Sequence, residues 1–248
     1  MKIGPFVKCP HPEMIEAIAL SGCDFAVLDM EHTPLGPRDL YPLALAAECR
    51  GLGLAIRIPR RSEEYVKWCL DLGVREIQIP HITTPDDVRD AMRMAYFSPL
   101  GERGLCRFVR AAQFSALDKG IYLREANQLT RLVLQLEGAE AIECLPEILE
   151  GIESNRTPRP SIFIGPYDLS QSLGVPGEIW HSAVLTAMRV AIQRCHDRNF
   201  TVGTFTDTPE GVHYWREQGV DFLEYGSDLQ LFIGAARELK ALVAGSEA

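Results

Sequence analysis

Short apolar runs rich in β-branched residues alternate with longer amphipathic stretches along the whole chain. Residues 3–7 read as a first strand, and 12–21 as the helix after it, ended by Gly22. The pattern then repeats, with strands predicted at 25–28, 54–58, 76–79, 132–136, 161–164, 201–205 and 222–225. The helices that follow them are predicted at 38–50, 62–72, from 84 onward, 139–149, 180–198, 209–218 and from about Asp228. Local signals set the boundaries. Gly51, Gly53 and Gly73 stop helices, and Ser62 is read as a helix cap with Glu63 and Glu64 in the first turn, where the helix dipole favours anions. Thr84-Pro85-Asp86-Asp87 opens another helix with proline at its first position.

Strand-then-helix alternation predicts a parallel sheet. Eight such units in 248 residues predict an α/β fold, a closed (β/α)8 TIM barrel forming a single domain over 1–248, with an open doubly wound sheet as the alternative. The segment 97–130 breaks the rhythm. It carries Gly101-Glu102-Arg103-Gly104, then Arg107 and Arg110, then a short helix predicted at 117–127. Connections this long in a compact domain tend to be functional; within it the region 101–114, with Arg103, Arg107 and Arg110, is expected to shape acceptor binding. Residues 244–248 are expected to fray.

Composition narrows the class. Hydrophobic residues make up 46% and charged residues 24%, ordinary for a globular protein. A formal net charge of −9 argues against nucleic acid or an anionic membrane as partner. Seven cysteines, with no C-x-x-C pair, read as reduced and mostly buried thiols, and the absence of a signal region or an 18-residue apolar run reads as a cytoplasmic enzyme.

Active sites of such barrels lie at the carboxyl ends of the strands. The residues there are Asp29-Met30-Glu31-His32, Arg57, Pro80-His81, Gln135 with Glu137, Gly165-Pro166-Tyr167-Asp168, Thr204 with Thr206, and Gly226-Ser227-Asp228. Glu137 and Asp168 converge only if the fifth and sixth strands are neighbours. Together they would make a hard oxygen site suited to Mg²⁺ or Mn²⁺; alternatively, Asp168 caps the helix after it. Arg57 is either an anion-binding fork or half of a salt bridge. His32 follows Asp29 and Glu31, either of which could orient its ring, and is either a general base or a structural histidine.

The strings Leu28-Asp29-Met30-Glu31-His32-Thr33-Pro34, Ile56-Arg57-Ile58-Pro59, Gln135-Leu136-Glu137 and Phe163-Ile164-Gly165-Pro166-Tyr167-Asp168-Leu169-Ser170 resemble the HpcH/HpaI aldolase family in order and separation over nearly the whole chain. The resemblance implies a metal-dependent class II aldolase that cleaves or forms C–C bonds of 4-hydroxy-2-oxo acids through a pyruvate enolate, using Mg²⁺, Mn²⁺ or Co²⁺. It implies Glu137 and Asp168 as metal ligands, Arg57 on the oxo or enolate oxygen, Gln135 orienting the donor, and His32 as acid/base. The backbone around Gly165, Pro166, Tyr167 and Asp168 would receive the carboxylate. Tyr167 stands where other members often carry alanine. Asp71 matches an aspartate that supports the histidine. A helix after a barrel strand ends at the face opposite the site, so Asp71 cannot reach its own His32 and would serve a neighbouring subunit. Small-molecule 2-oxo acids and aldehydes are the implied partners, along with a homo-oligomer, a hexamer of swapped-helix dimers.

Three other readings compete. A class I aldolase would need a Schiff-base lysine, and of five lysines only Lys8 lies near a strand end. A lyase of malyl- or citryl-CoA type would need a nucleotide site, yet neither G-x-G-x-x-G nor a P-loop motif occurs. A non-catalytic binding barrel has little reason to keep His32, Arg57, Glu137 and Asp168 together.

Overall fold

The computed structural model describes residues 1–153 and 158–244. Eight parallel strands, β1 (Lys2–Val7), β2 (Phe25–Asp29), β3 (Gly53–Arg57), β4 (Glu76–Ile79), β5 (Arg131–Leu136), β6 (Ser161–Ile164), β7 (Val202–Thr206) and β8 (Phe222–Ser227), close into a barrel in chain order. Each predicted strand is present to within a residue or two. The helices are α1 (Pro12–Leu20), α2 (Pro37–Arg50), α3 (Glu63–Leu72), α4 (Pro85–Ala95), α5 (Lys119–Leu129), α6 (Ala139–Glu143), α7 (Leu145–Glu153), α8 (Pro166–Ser172), α9 (Ser182–Asp197), α10 (Pro209–Glu217) and α11 (Asp228–Ala244), with a 3₁₀ turn at Arg110–Ser115.

Two sets of side chains follow from the period of two along a strand. One set, including Leu28, Ile56, Ile77, Ile79, Leu134, Leu136, Ile162 and Ile164, joins the large aliphatic core under the helices. The other faces the barrel axis. There Phe6, Val27 and Ala55 form only a small apolar cluster, with Phe25 and Phe205 against it. Around it the interior is polar: Asp29, Arg57, Gln78, Gln135 and Glu224 are all buried.

Several local expectations are refined. Thr84 and Asp87 make the expected reciprocal capping box, and Gly51 and Gly73 close their helices at φ 68° and 99°, where a side chain is disfavoured. Ser62 occupies the cap position of α3 but its side chain makes no cap bond. The predicted 139–149 helix is two short helices, and α8 precedes the predicted 180–198 helix. The expectation of mostly buried thiols is corrected: of the seven cysteines only Cys69 and Cys195 are buried, and Cys49 and Cys106 are exposed. Apart from Ala244, the stretch expected to fray lies outside the described residues. No helix among the described residues is long and apolar enough to cross a membrane.

The 97–130 segment is ordered at the amino-end side of the barrel. Glu102 and Arg103 donate backbone N–H groups to the last carbonyls of α4 and its cap, at 2.7 and 2.9 Å. Arg103 pairs with Asp71 at 2.7 Å and stacks over Phe97. Arg107 donates to the Ser115 and Leu117 carbonyls, and Arg110 to the Leu72 carbonyl and to Glu48. The three arginines expected near the acceptor are therefore committed elsewhere within this chain. Arg103 and Arg110 border a cavity of about 780 Å³ under the starts of β3 and β4.

Glu224 is an acid buried within the barrel interior. Burial, helped by repulsion from Glu76 and Asp29, raises its carboxyl from 4.5 to about 8, against the pull of Arg57 and a bond from Gln78. Its folded value exceeds its unfolded one, so folding takes up a proton. That contribution is complete below pH 4.5 and is lost as pH rises through about 8. Glu224→Gln is expected to leave stability near pH 4 unchanged and to raise it at pH 8 by roughly 3–5 kcal/mol. Urea unfolding at the two pH values measures this; an equal effect at both would place the titration elsewhere.

Candidate active site at the carboxyl ends of the strands

Residues paired in register on adjacent parallel strands point to the same side. Asp29 of β2 pairs with Arg57 of β3, and Arg57 with Gln78 of β4, so the three form one row facing the axis. Asp29 is fully buried. Its two oxygens take Nε and Nη2 of Arg57 at 2.9 and 2.8 Å, a bidentate fork. Lys8, at the end of β1, reaches the same carboxylate. The backbone N–H groups of Glu31 and His32 add bonds of 3.1 and 3.3 Å. Burial alone would push the Asp29 carboxyl up, but the bonds and charge of Arg57, followed by those of Lys8, overcome it and hold the group at about 2. Arg57 also lies over the Phe6 ring, 4.3 Å from its centroid, and 3.3 Å from Glu31.

The second half of the site comes from β4 to β6. Strand pairing of Leu136 with Ile164 sets Glu137 beside Gly165. A Cβ on Gly165 would stand 3.0 Å from the Glu137 Cβ and 3.4 Å from Oε2, so glycine keeps the space beside this carboxylate open. Gln135 donates its amide N–H to Glu137 Oε2. His81, in the left-handed region at φ 56°, donates its backbone N–H to Glu137 Oε1 at 2.9 Å. Its ring bridges Glu137 at 2.8 Å and Glu31 at 3.3 Å. Glu31 is raised by burial and by Glu137, with Arg57, His32 and His81 pulling the other way.

The expected residues separate into three groups. Arg57, Gln135 and Glu137 come together at the mouth. His32 is there too, largely exposed, with Nε2 3.8 Å from Glu31; Glu31 is thus the acid beside its ring, while Asp29 binds its backbone. Asp168 is exposed in the first turn of α8, whose cap is Gly165, so it is not the cap itself. The Gly165 N–H is spent on the Leu136 carbonyl and Pro166 has none, which leaves Tyr167 and Asp168 as the N–H donors of that turn. Tyr167 turns its hydroxyl to Asp207 at 2.7 Å and its ring toward Phe205. Asp71, at the far end of α3, is held by Arg103 and is not part of this mouth within the chain.

Lys8, Asp29 and His81 are the residues whose weight the sequence understated. Each ends or follows a strand, but each gains meaning only from partners on other strands. Asp228 is another: its carboxylate binds the N–H groups of Lys8 and Cys9 at 2.9 Å and so fixes the loop that carries Lys8.

An enzyme that breaks carbon–carbon bonds needs groups that stabilise a developing anion and a group that moves a proton, and this mouth offers candidates for both; it is a lyase barrel. The chain belongs to the HpcH/HpaI aldolase/citrate lyase family, whose model matches residues 2–235. It is 30% identical over 248 residues, 99% of its own length and 94% of the relative's, to the 2-dehydro-3,6-dideoxy-6-sulfogluconate aldolase of Pseudomonas putida. It is also 30% identical over 245 residues, 98% and 88% of the two chains, to a 2-keto-3-deoxy-L-rhamnonate aldolase of Escherichia coli. The crystal structure of a family member from Burkholderia cenocepacia superposes with a TM-score of 0.90 at 31% identity, covering 98% of this chain and 94% of that one.

The Asp29–Arg57 pair generates a direct expectation. Breaking one side of a buried ion pair typically costs about 3–5 kcal/mol, because the other charge is left stranded. Asp29→Asn should therefore destabilise the fold by about that amount, whereas Lys8→Met, at a partly exposed position, should cost under about 1 kcal/mol. Equal losses in urea unfolding would mean that Arg57 is not what Asp29 anchors.

Proposed function

We propose that the protein is a metal-dependent class II aldolase acting on 4-hydroxy-2-oxo acids through a pyruvate enolate. The observation that carries this reading is the Glu137 carboxylate, oriented by Gln135 and His81, beside the open space at Gly165 and one strand from Asp168. A pair of carboxylates with room for oxygen ligands fits a hard divalent cation. No cluster of three or more potential ligands occurs among the described residues, so substrate and water would complete such a site. The aldolases named above act, by their names, on 2-keto- or 2-dehydro-3-deoxy acids, which favours the same substrate class.

Glu137 and Asp168 would hold Mg²⁺, Mn²⁺ or Co²⁺, which supplies a Lewis acid for charge developing at the oxo oxygen. Arg57, fixed by Asp29, adds a positive group that need not reorganise during reaction. Gln135 orients the donor, and the N–H groups of Tyr167 and Asp168 face its carboxylate. In cleavage, His32 removes the proton of the C4 hydroxyl, the C3–C4 bond breaks, the aldehyde leaves, and a proton returns to C3 of the enolate to give pyruvate. Lys8, paired with Asp29, is a poor Schiff-base candidate, because that chemistry needs a free neutral amine.

The test is pyruvate release from a panel of 4-hydroxy-2-oxo acids with Mg²⁺, Mn²⁺ or Co²⁺ added. EDTA should abolish turnover, and borohydride with pyruvate should leave it intact; the opposite pattern points to a Schiff base. Glu137→Ala and Asp168→Ala should each lose more than about 10²-fold with the fold preserved. His32→Ala should lower kcat by about 10²–10⁴ while pyruvate binding persists. Full activity in either carboxylate variant would remove the metal assignment.

A homo-oligomer is part of the same reading. Helix α11 exposes Leu229, Phe232, Ile233, Leu239 and Val243, an apolar surface of the kind that marks an interface. The expected dimer exchanges a helix, for which this apolar surface makes α11 a candidate, and the expected hexamer would bring Asp71 of one chain to another chain's mouth. Light scattering should show an oligomer that Phe232→Asp dissociates with loss of activity; a fully active monomer refutes both.

A further inference from the structure

Four buried polar side chains form a single file from the barrel interior to its mouth. Exposure rises along it, from Gln78 at 0% and Glu224 at 1% through Gln135 at 2% to Glu137 at 6%. Strands β4 and β8 lie on opposite sides of the closed barrel, so the Gln78–Glu224 contact crosses the interior.

The bonds of the file form one mutually consistent set. A carboxylate only accepts, so Gln135 must turn its NH₂ to Glu137 Oε2. That leaves Gln135 Oε1 facing inward, where it accepts from Gln78 Nε2 at 2.7 Å. Gln78 must in turn present its own NH₂, which also lies 3.4 Å from Glu224 Oε2. One atom is left over: Gln78 Oε1 is buried with no hydrogen-bond partner. A carboxylic acid complements a primary amide on both edges, because its carbonyl accepts while its hydroxyl donates. The raised proton affinity of Glu224 agrees with that neutral form. The charged groups acting on it are Arg57, Glu76 and Asp29, while its in-register neighbours, Gly4 of β1 and Phe205 of β7, carry no charge.

We propose that Gln78 and Glu224 are positioning residues for the lyase reaction, holding the Gln135 amide in the one orientation that lets it donate to Glu137. An amide without this support is nearly symmetric in shape and can turn its oxygen toward the carboxylate, repelling it. Outer partners of this kind are typically worth 10- to 100-fold in metal affinity or activity. The inference rests on the reading of Glu137 as a metal ligand and Gln135 as a donor-binding group.

The test uses the full-length protein and needs no aldehyde. It reads Mn²⁺ affinity by the electron paramagnetic resonance of free Mn²⁺, and Mg²⁺-dependent deuterium exchange into the pyruvate methyl group. Gln78→Met keeps length and volume but removes the amide, and Glu224→Leu removes the acid. Each should weaken Mn²⁺ binding and slow exchange about tenfold. Glu224→Gln, which keeps one acceptor and one donor edge, should restore both to within about threefold of the parent, a rescue that a purely volumetric role would not require. Circular dichroism at the assay temperature checks folding; should Glu224→Leu fail to fold, Gln78→Met and Glu224→Gln carry the comparison. If Gln78→Met binds and exchanges like the parent while Glu137→Ala does neither, the positioning role is overturned and the site reading stands. If Glu137→Ala also behaves like the parent, the site reading itself falls, and this inference with it.

Discussion

The mouth of this barrel is organised around one buried ion pair. Arg57 cannot shed its proton, and it sits where water hardly reaches, so the fold must place an anion against it. Asp29 does so from the neighbouring strand, in register, with both oxygens engaged. The pair is mutual in its effect. Without Arg57, burial would drive the Asp29 carboxyl toward its neutral form; without Asp29, the guanidinium would be a stranded charge. Because the fork is bidentate and its cation is stacked on Phe6, Arg57 has little freedom left. A positive group fixed in this way can meet a developing enolate without reorganising, which is where electrostatic catalysis gains most. The same carboxylate receives Lys8 and two N–H groups of the loop carrying His32, so the position of that loop depends on the same anchor.

A second constraint is the polarity of the barrel interior. Most of the apolar interior of this protein lies between strands and helices, and on the axis side polar residues share the space with Phe6, Val27, Ala55, Val133 and Phe163. Polar residues inside must then satisfy each other. They do so in two branches that meet at the mouth: the Asp29–Arg57 branch, and the file that runs through Gln78 and Gln135 to Glu137. Low dielectric strengthens such networks when complete and makes gaps costly. The gap in the second branch is at Gln78 Oε1, a buried acceptor with no hydrogen-bond partner.

Sequence reading reached the architecture because both of its periods were present: alternation within strands, 3.6 within helices, and glycine or proline at the boundaries. It recovered all eight strands and the strand-end positions of Arg57, Gln135, Glu137 and His32. It could not weigh contacts between distant strands. Asp29 reads locally as one of two acids near His32, and only the in-register pairing shows that it belongs to Arg57 instead. Glu224 is a lone acid within an apolar run, Phe222-Leu223-Glu224-Tyr225, which is a legible anomaly. Its partner, though, lies on β4, 146 residues away in sequence. The arginines of the 97–130 segment are ambiguous for a related reason. They are expected to shape acceptor binding, but within this chain they bond backbone carbonyls and Asp71 and Glu48. Clustered arginine in a loop reports either a ligand or many carbonyls to satisfy, and sequence does not tell the two apart.

Charge at the mouth bears on how an anionic substrate could enter. Lys8 and Arg57 face Asp29, Glu31, Glu137 and Asp168 across the strand ends, so acids outnumber fixed cations two to one. Asp29 already consumes most of the positive charge. A 2-oxo acid approaching this set alone would meet net repulsion, in a protein whose overall charge is −9. The upward shift of Glu31 lessens the excess without reversing it. A dication shared by Glu137 and Asp168 would cancel their charge at the spot that Gly165 keeps open. Under the proposed function, the metal would then remove the repulsion that the donor would otherwise meet. In that reading the surplus of acids would favour a cation at the mouth before an anionic donor, and neutral residues at Glu137 or Asp168 would remove that preference.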